Sequence, residues 1–186
     1  MFVHAYDKQQ ISQSIFYSSS GENLEQTNDV ILPQSLFEPV ALLSSHLTFL
    51  GRTLSSATLT PLYRRIVSRL AEHLFQRQIM HHRRLTLQDG KRFHSEYQLW
   101  VESCQVALHS ALGDSKARVE TPWRRLLQAG RLLSAEEDVW TAILDATFGR
   151  QSDDEWEHAV HGHLGSLQLD REDVAKILQM REDCDR

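Results

Sequence analysis

Apolar side chains recur along most of this chain at the three-and-four spacing that gathers them on one face of a helix. Leu36, Val40, Leu43, Leu47, Leu50 and Leu54 make the first stripe, which Ser55, Ser56 and Thr58 interrupt. Two longer segments follow, Pro61 to Met80 and Leu87 to Leu112, each too regular for a loop and too polar to enter a bilayer. In the first, Leu62, Ile66, Leu70, Leu74 and Ile79 form a stripe opposite a row of arginines. In the second, the inward set is Phe93, Tyr97, Trp100, Cys104, Ala107, Ala111 and Leu112. A helix of roughly 20 to 25 residues spans about 30 Å or more, a length suited to helices laid side by side as a rod.

Local signals mark where these helices begin and end. Thr60 before Pro61 predicts a start, a hydroxyl cap followed by a proline whose missing N–H costs nothing in a first turn. Thr121 and Pro122 repeat the device, opening a short helix with Trp123, Leu126, Leu127 and Leu133. Thr86 with Asp89 resembles a capping box, and Ser134 with Glu137 and Ser152 with Glu155 are full ones. They lead respectively into the Leu87 segment, into Val139, Trp140, Ile143 and Leu144, and into Trp156, Val160 and Leu164; Asp170 with Asp173 opens a last helix carrying Val174, Ile177 and Leu178. Gly113 is placed to end the long second segment through a left-handed residue, and Gly90, Gly130 and Gly149 read as caps or close-packing points. The expectation is an all-α fold of about seven helices with no strand, an elongated antiparallel helical bundle over residues 35–186. Residues 1–34, rich in Gln and Ser, read as a flexible or partly helical segment in which Ile11, Ile15 and Phe16 could dock as a short turn.

Composition narrows the class. Eight Gly and four Pro in 186 residues are too few for a sandwich or barrel. The net charge of −5 is unevenly spread: Arg64, Arg65, Arg69, Arg77, Arg83, Arg84, Lys91 and Arg92 make the middle basic, and the last third is acidic. Such asymmetry points to internal steering or a charged partner. Cys104 and Cys184 are too scattered for a disulfide framework, which suits a reducing, cytoplasmic setting. No secretory signal or membrane-spanning stretch is read in the sequence.

Candidate chemistry is sparse. His158, His161 and His163 lie close together and His81 and His82 are adjacent, yet no zinc-binding helix motif joins them. There is no nucleophile elbow, no Cys-x-x-Cys and no phosphate-cradling glycine loop. The carboxylates of the acidic end cluster in first turns, where the helix dipole favours them. No catalytic residue, metal or cofactor is expected. Two surface features remain. The arginine face of the Pro61 segment suits the phosphates of a nucleic acid or lipid headgroups but lacks the interleaved aromatics that single-stranded nucleic acid would stack on, and a solvated face, or one paired with the acidic helices, is the plainer reading. Trp123, followed by Arg124 and Arg125, is the best anchor for a partner, with burial at a corner between helices as the plainer reading.

Three stretches carry a resemblance: ATLTPLYRRIVSRLAEHLFQRQIM at 57–80, FHSEYQLWVESCQ at 93–105 and ETPWRRLLQAGRLLS at 120–134. Together they resemble the C-terminal region of the Rad50-interactor/Tip family of vesicle-tethering subunits, in its fungal form, over about Leu36 to Cys184. The resemblance implies a rod of stacked helical bundles belonging to the Dsl tethering complex. It also implies a non-catalytic role in Golgi-to-ER retrograde transport, peripheral at the endoplasmic reticulum, in contact with ER SNARE proteins and other complex subunits. Family chains are several times longer, and the part that joins the complex's central subunit lies near their N-terminus and has no match here, so the expectation is a C-terminal fragment or truncated gene model of one, or a form that has lost that contact. Partner contact is expected around Arg64, Arg65, Arg69, Trp123 and Arg124. The alternative is a basic helical adaptor that binds nucleic acid or a DNA-repair partner in the nucleus.

Overall fold

The computed structural model describes residues 32–81, 84–113 and 116–184. The readings made for residues 1–31, His82 and Arg83 lie outside the described residues. The fold is an all-α helical bundle, as the patterning predicts. Its helices are α1 (Phe37–Thr53), α2 (Ser56–Leu74), α3 (Leu87–Leu112), α4 (Lys116–Glu120), α5 (Arg124–Leu133), α6 (Glu137–Phe148), α7 (Asp153–Leu164) and α8 (Arg171–Met180). Seven of these answer to the expected helices, and the eighth is the five-residue α4. Short 3-10 turns at Gln34–Leu36, Thr121–Trp123 and Glu182–Cys184 complete the described elements. Among them there is no strand; the nearest approach is an isolated parallel bridge between Leu85 and Arg181.

The centre of the bundle is α3, which at 26 residues is about 39 Å long. Helix α1 packs along one side of it and α5 along another, while α6, α7 and α8 close the far end. One continuous apolar core runs from Leu36 to Leu178. Two glycines let α3 and α5 approach each other. A methyl group on Gly90 would sit 2.1 Å from the Leu133 carbonyl oxygen, and one on Gly130 would sit 2.9 Å from the Tyr97 ring.

Several boundaries follow the local signals. Thr86 and Asp89 form a complete capping box, as do Ser152 and Glu155, and the Asp170 carboxylate accepts from the Asp173 backbone N–H. Gly113 takes a positive φ of 64° after α3. Others do not. Helix α2 begins at Ser56, one turn before Thr60 and Pro61, so Pro61 lies inside it and the Thr60 hydroxyl bonds back to the Ser56 carbonyl. Ser134 ends α5 rather than opening α6, its hydroxyl donating to the Arg131 carbonyl. Thr121 likewise bonds back to Ala117 and caps nothing. Gly149 does close α6, its N–H donating to the Asp145 carbonyl at 2.9 Å, with an ordinary φ of −69°. In each miscarried case a hydroxyl found a carbonyl of the preceding turn, the alternative always open to Ser and Thr.

The face of α2 is also rotated from the expected one. The buried set is Leu59, Tyr63, Val67, Leu70, Ala71 and Leu74, while Leu62 and Ile66 are only half-buried. Beyond Leu74 the helix widens into a π turn, Phe75–Met80, which keeps Phe75, Gln78 and Ile79 turned inward.

Candidate functional site

The arginines with a clear structural placement divide into two kinds. Arg64, Arg65 and Arg69 are exposed on the outer face of α2 and form no ion pair among the described residues. Their position follows from the packing beneath them. Tyr63 and Val67 point inward, so Arg65 and Arg69, two positions and about 200° beyond each, point out. Arg65 and Arg69 stand four residues apart on that face, and Glu72 ends the same row.

Arg125, Arg171 and Arg181 are spent on internal connections. Arg125 pairs with Glu72 at 2.8 Å and with Asp173 at 2.9 Å, and its guanidinium lies 4.2 Å from the centre of the Phe75 ring. One side chain thus ties α2, α5 and α8 together. Arg171 donates to the carbonyls of Thr147, Gly149 and Gln151 and pairs with Asp153 at 3.0 Å, which satisfies the open end of α6 and fastens it to α7. Arg181 is almost completely buried, lies 3.9 Å from the Trp140 ring centre, and donates to the Ala135 carbonyl at 2.7 Å. Gln128, also buried, clamps the loop after α7 by donating to Ser166 O and accepting from Gln168 N.

Trp123 belongs to the interior. Its ring is 0% exposed and stacks on Trp100 with centroids 6.2 Å apart. Its indole N–H donates to the Tyr63 hydroxyl at 3.1 Å, and that hydroxyl donates to the Val119 carbonyl at 2.7 Å. The expected anchor is therefore a core side chain, and no partner meets its ring on the surface. Arg124, next to it, is half-buried, and it is the neighbouring Arg125 that carries the long-range pairs. The structure thus brings Arg64, Arg65 and Arg69 onto one helix surface and places Trp123 beneath it.

Three titratable groups packed between the helices are shifted toward their neutral forms. Burial raises the Tyr63 hydroxyl far above its ordinary range, with Cys104 beside it adding to the shift and the Trp123 hydrogen bond opposing it. Burial also pushes the Cys104 thiol up to about 12. His94 is held below the usual imidazole range by burial and by the Arg131 charge. These are the shifts of groups packed in a core, with no nucleophile drawn toward its ionised form.

His158, His161 and His163 are all exposed on α7. Among the described residues no three His, Cys, Asp or Glu side chains converge on a point where a metal ion would sit. No described helix is long and apolar enough to cross a membrane. Comparison of the chain with protein-family profiles, with curated proteins and with solved structures finds no match.

Proposed function

We propose that this chain is a non-catalytic helical docking module of a vesicle tether, working in Golgi-to-ER retrograde transport at the surface of the endoplasmic reticulum. The supporting observation is the division among the arginines. Arg125, Arg171 and Arg181 are consumed in holding helices together, while Arg64, Arg65 and Arg69 stand outward on a stiff helix with no acidic neighbour engaging them. A cationic row on a rigid scaffold suits an acidic helical partner, which can lie along that face and place carboxylates against it. The sequence resemblance supplies the class of that partner: the helical N-terminal regions of ER SNAREs, together with other subunits of the tethering complex.

The test is a pull-down of the full chain with ER SNARE N-terminal regions, comparing wild type with Arg65→Glu/Arg69→Glu. Loss of two pairs, with repulsion in their place, should weaken binding about tenfold. Unchanged binding by a folded double variant removes these residues from the account. Retention on duplex DNA that falls steeply with salt, with no SNARE binding, would replace this reading with the nucleic-acid one.

A further inference from the structure

A second surface, on α1, is independent of the basic row. The side of α1 away from the core exposes Phe37 and Phe49, at 52% and 64%. A groove of about 500 Å³ runs along the same side, lined by Ala41, Ser44, Ser45, Thr48, Phe49 and Arg52. Large exposed aromatics beside a row of small side chains mark a place where another helix can approach closely.

The order of residues along this face says which helix fits. Glu38 and Arg52 lie seven positions to either side of Ser45, and Ala41 and Phe49 lie four positions to either side. With 3.6 residues per turn, the charged pair falls within about 20° of the Ser45 direction and the Ala41–Phe49 pair within about 40°. The face is therefore its own complement when reversed. A large residue stands where its mirror position holds a small one, and a cation stands where its mirror position holds an anion.

We infer that α1 pairs antiparallel with α1 of a second copy of this chain, with Ser45 at the twofold axis. In that arrangement Phe49 of each copy lies over Ala41 of the other, and Arg52 of each meets Glu38 of the other. The contact is isologous, so it closes at two copies and does not propagate into a fibre. A single-helix contact buries less than the roughly 1,600 Å² of a standard interface, so the dimer is weak and exchanges with monomer.

Sedimentation equilibrium of the full chain from about 10 to 300 μM covers the range where an interface of less than standard size assembles. The expected result is a monomer–dimer equilibrium that Arg52→Glu weakens about tenfold, two symmetry-related pairs being reversed at once. Glu38→Arg combined with Arg52→Glu restores it. Ser45→Cys in a Cys184→Ser background should cross-link under mild oxidation, because residues on a twofold axis between closely packed helices come within disulfide reach. A chain that stays monomeric throughout this range overturns the inference. So does a dimer that ignores Arg52→Glu and fails to cross-link at position 45.

Discussion

Tyr63 and Tyr97 offer two buried phenols whose hydroxyls should have opposite effects on stability. Both rings are inaccessible, at 1% and 0% exposed. The Tyr63 hydroxyl joins the Trp123 indole to the Val119 carbonyl, linking α2 to the α4–α5 corner. The Tyr97 hydroxyl has no partner among the described residues. Tyr63→Phe leaves a buried indole N–H and a carbonyl unmatched, and each unmet buried group costs about 1–3 kcal/mol. Part of that cost is offset because the phenol's own desolvation disappears, so the net loss should be about 2–3 kcal/mol. Tyr97→Phe removes a hydroxyl that is buried without a bond, a state that itself costs about 1–3 kcal/mol, so the variant should be neutral or more stable. Urea unfolding followed by far-UV circular dichroism measures both, with m unchanged in each. At about 2–4 °C per kcal/mol for a chain of this size, Tyr63→Phe lowers Tm by roughly 4–12 °C. Equal losses at the two positions would refute the reasoning, since the hydrogen bonds would then decide nothing.

Three further outcomes are expected. Gly90→Ala drives a methyl group against the Leu133 carbonyl oxygen, and overpacking against backbone should cost about 1–3 kcal/mol or more by urea unfolding, whereas Ala substitutions on the exposed face of the same helix should be nearly silent. With its pKa pushed up to about 12, native Cys104 should resist a thiol reagent at pH 8 until the chain unfolds, while the half-buried Cys184 reacts faster; mass spectrometry of the labelled chain distinguishes them. Glu136, hydrogen-bonded to Lys91, and Glu155, bonded to the Ser152 backbone, are both held below the usual carboxylate range. Their folded pKa values are depressed, so their stabilisation is complete above about pH 4.5 and fades as pH falls through the folded values, and Ser152→Ala should shrink that acid-side loss in urea titrations across the window.

The helices themselves were legible because their signals are local. Three-and-four spacing located all seven expected ones, and the caps at Thr86, Ser152 and Asp170 were readable within four residues of sequence. The misreadings also have local causes. In α2 the series Leu62, Ile66, Leu70 competes with Leu59, Tyr63, Val67, Leu70, and only contact with Val119 and Trp123 decides that the aromatic series faces inward. Thr60, Thr121 and Ser134 resemble caps, yet each hydroxyl satisfies a carbonyl already in place one turn back. Least legible were the tertiary arginines. Arg125 finds partners 53 and 48 positions away, and no motif distinguishes it from Arg124 beside it. Arg181, which no local signal marks as interior, lies buried against Trp140. Glu96 is another interior charge, fully buried with Arg92 Nε at 3.7 Å, at a position where helical spacing alone would allow either face. The basic row was visible as charge, and Arg64, Arg65 and Arg69 stand apart from these distant pairings.

The central claim is that outward arginines bind while inward arginines hold the bundle together. It is tested most directly by measuring two quantities on two variants, Arg65→Glu/Arg69→Glu and Arg125→Met: the affinity for an ER SNARE N-terminal region by calorimetry, and the urea midpoint. The account predicts that the first variant loses about tenfold in affinity with an unchanged midpoint, and that the second loses stability by about 1–2 kcal/mol while its folded fraction still binds. A surface reversal that leaves affinity intact, or an Arg125→Met chain as stable as wild type, would contradict it.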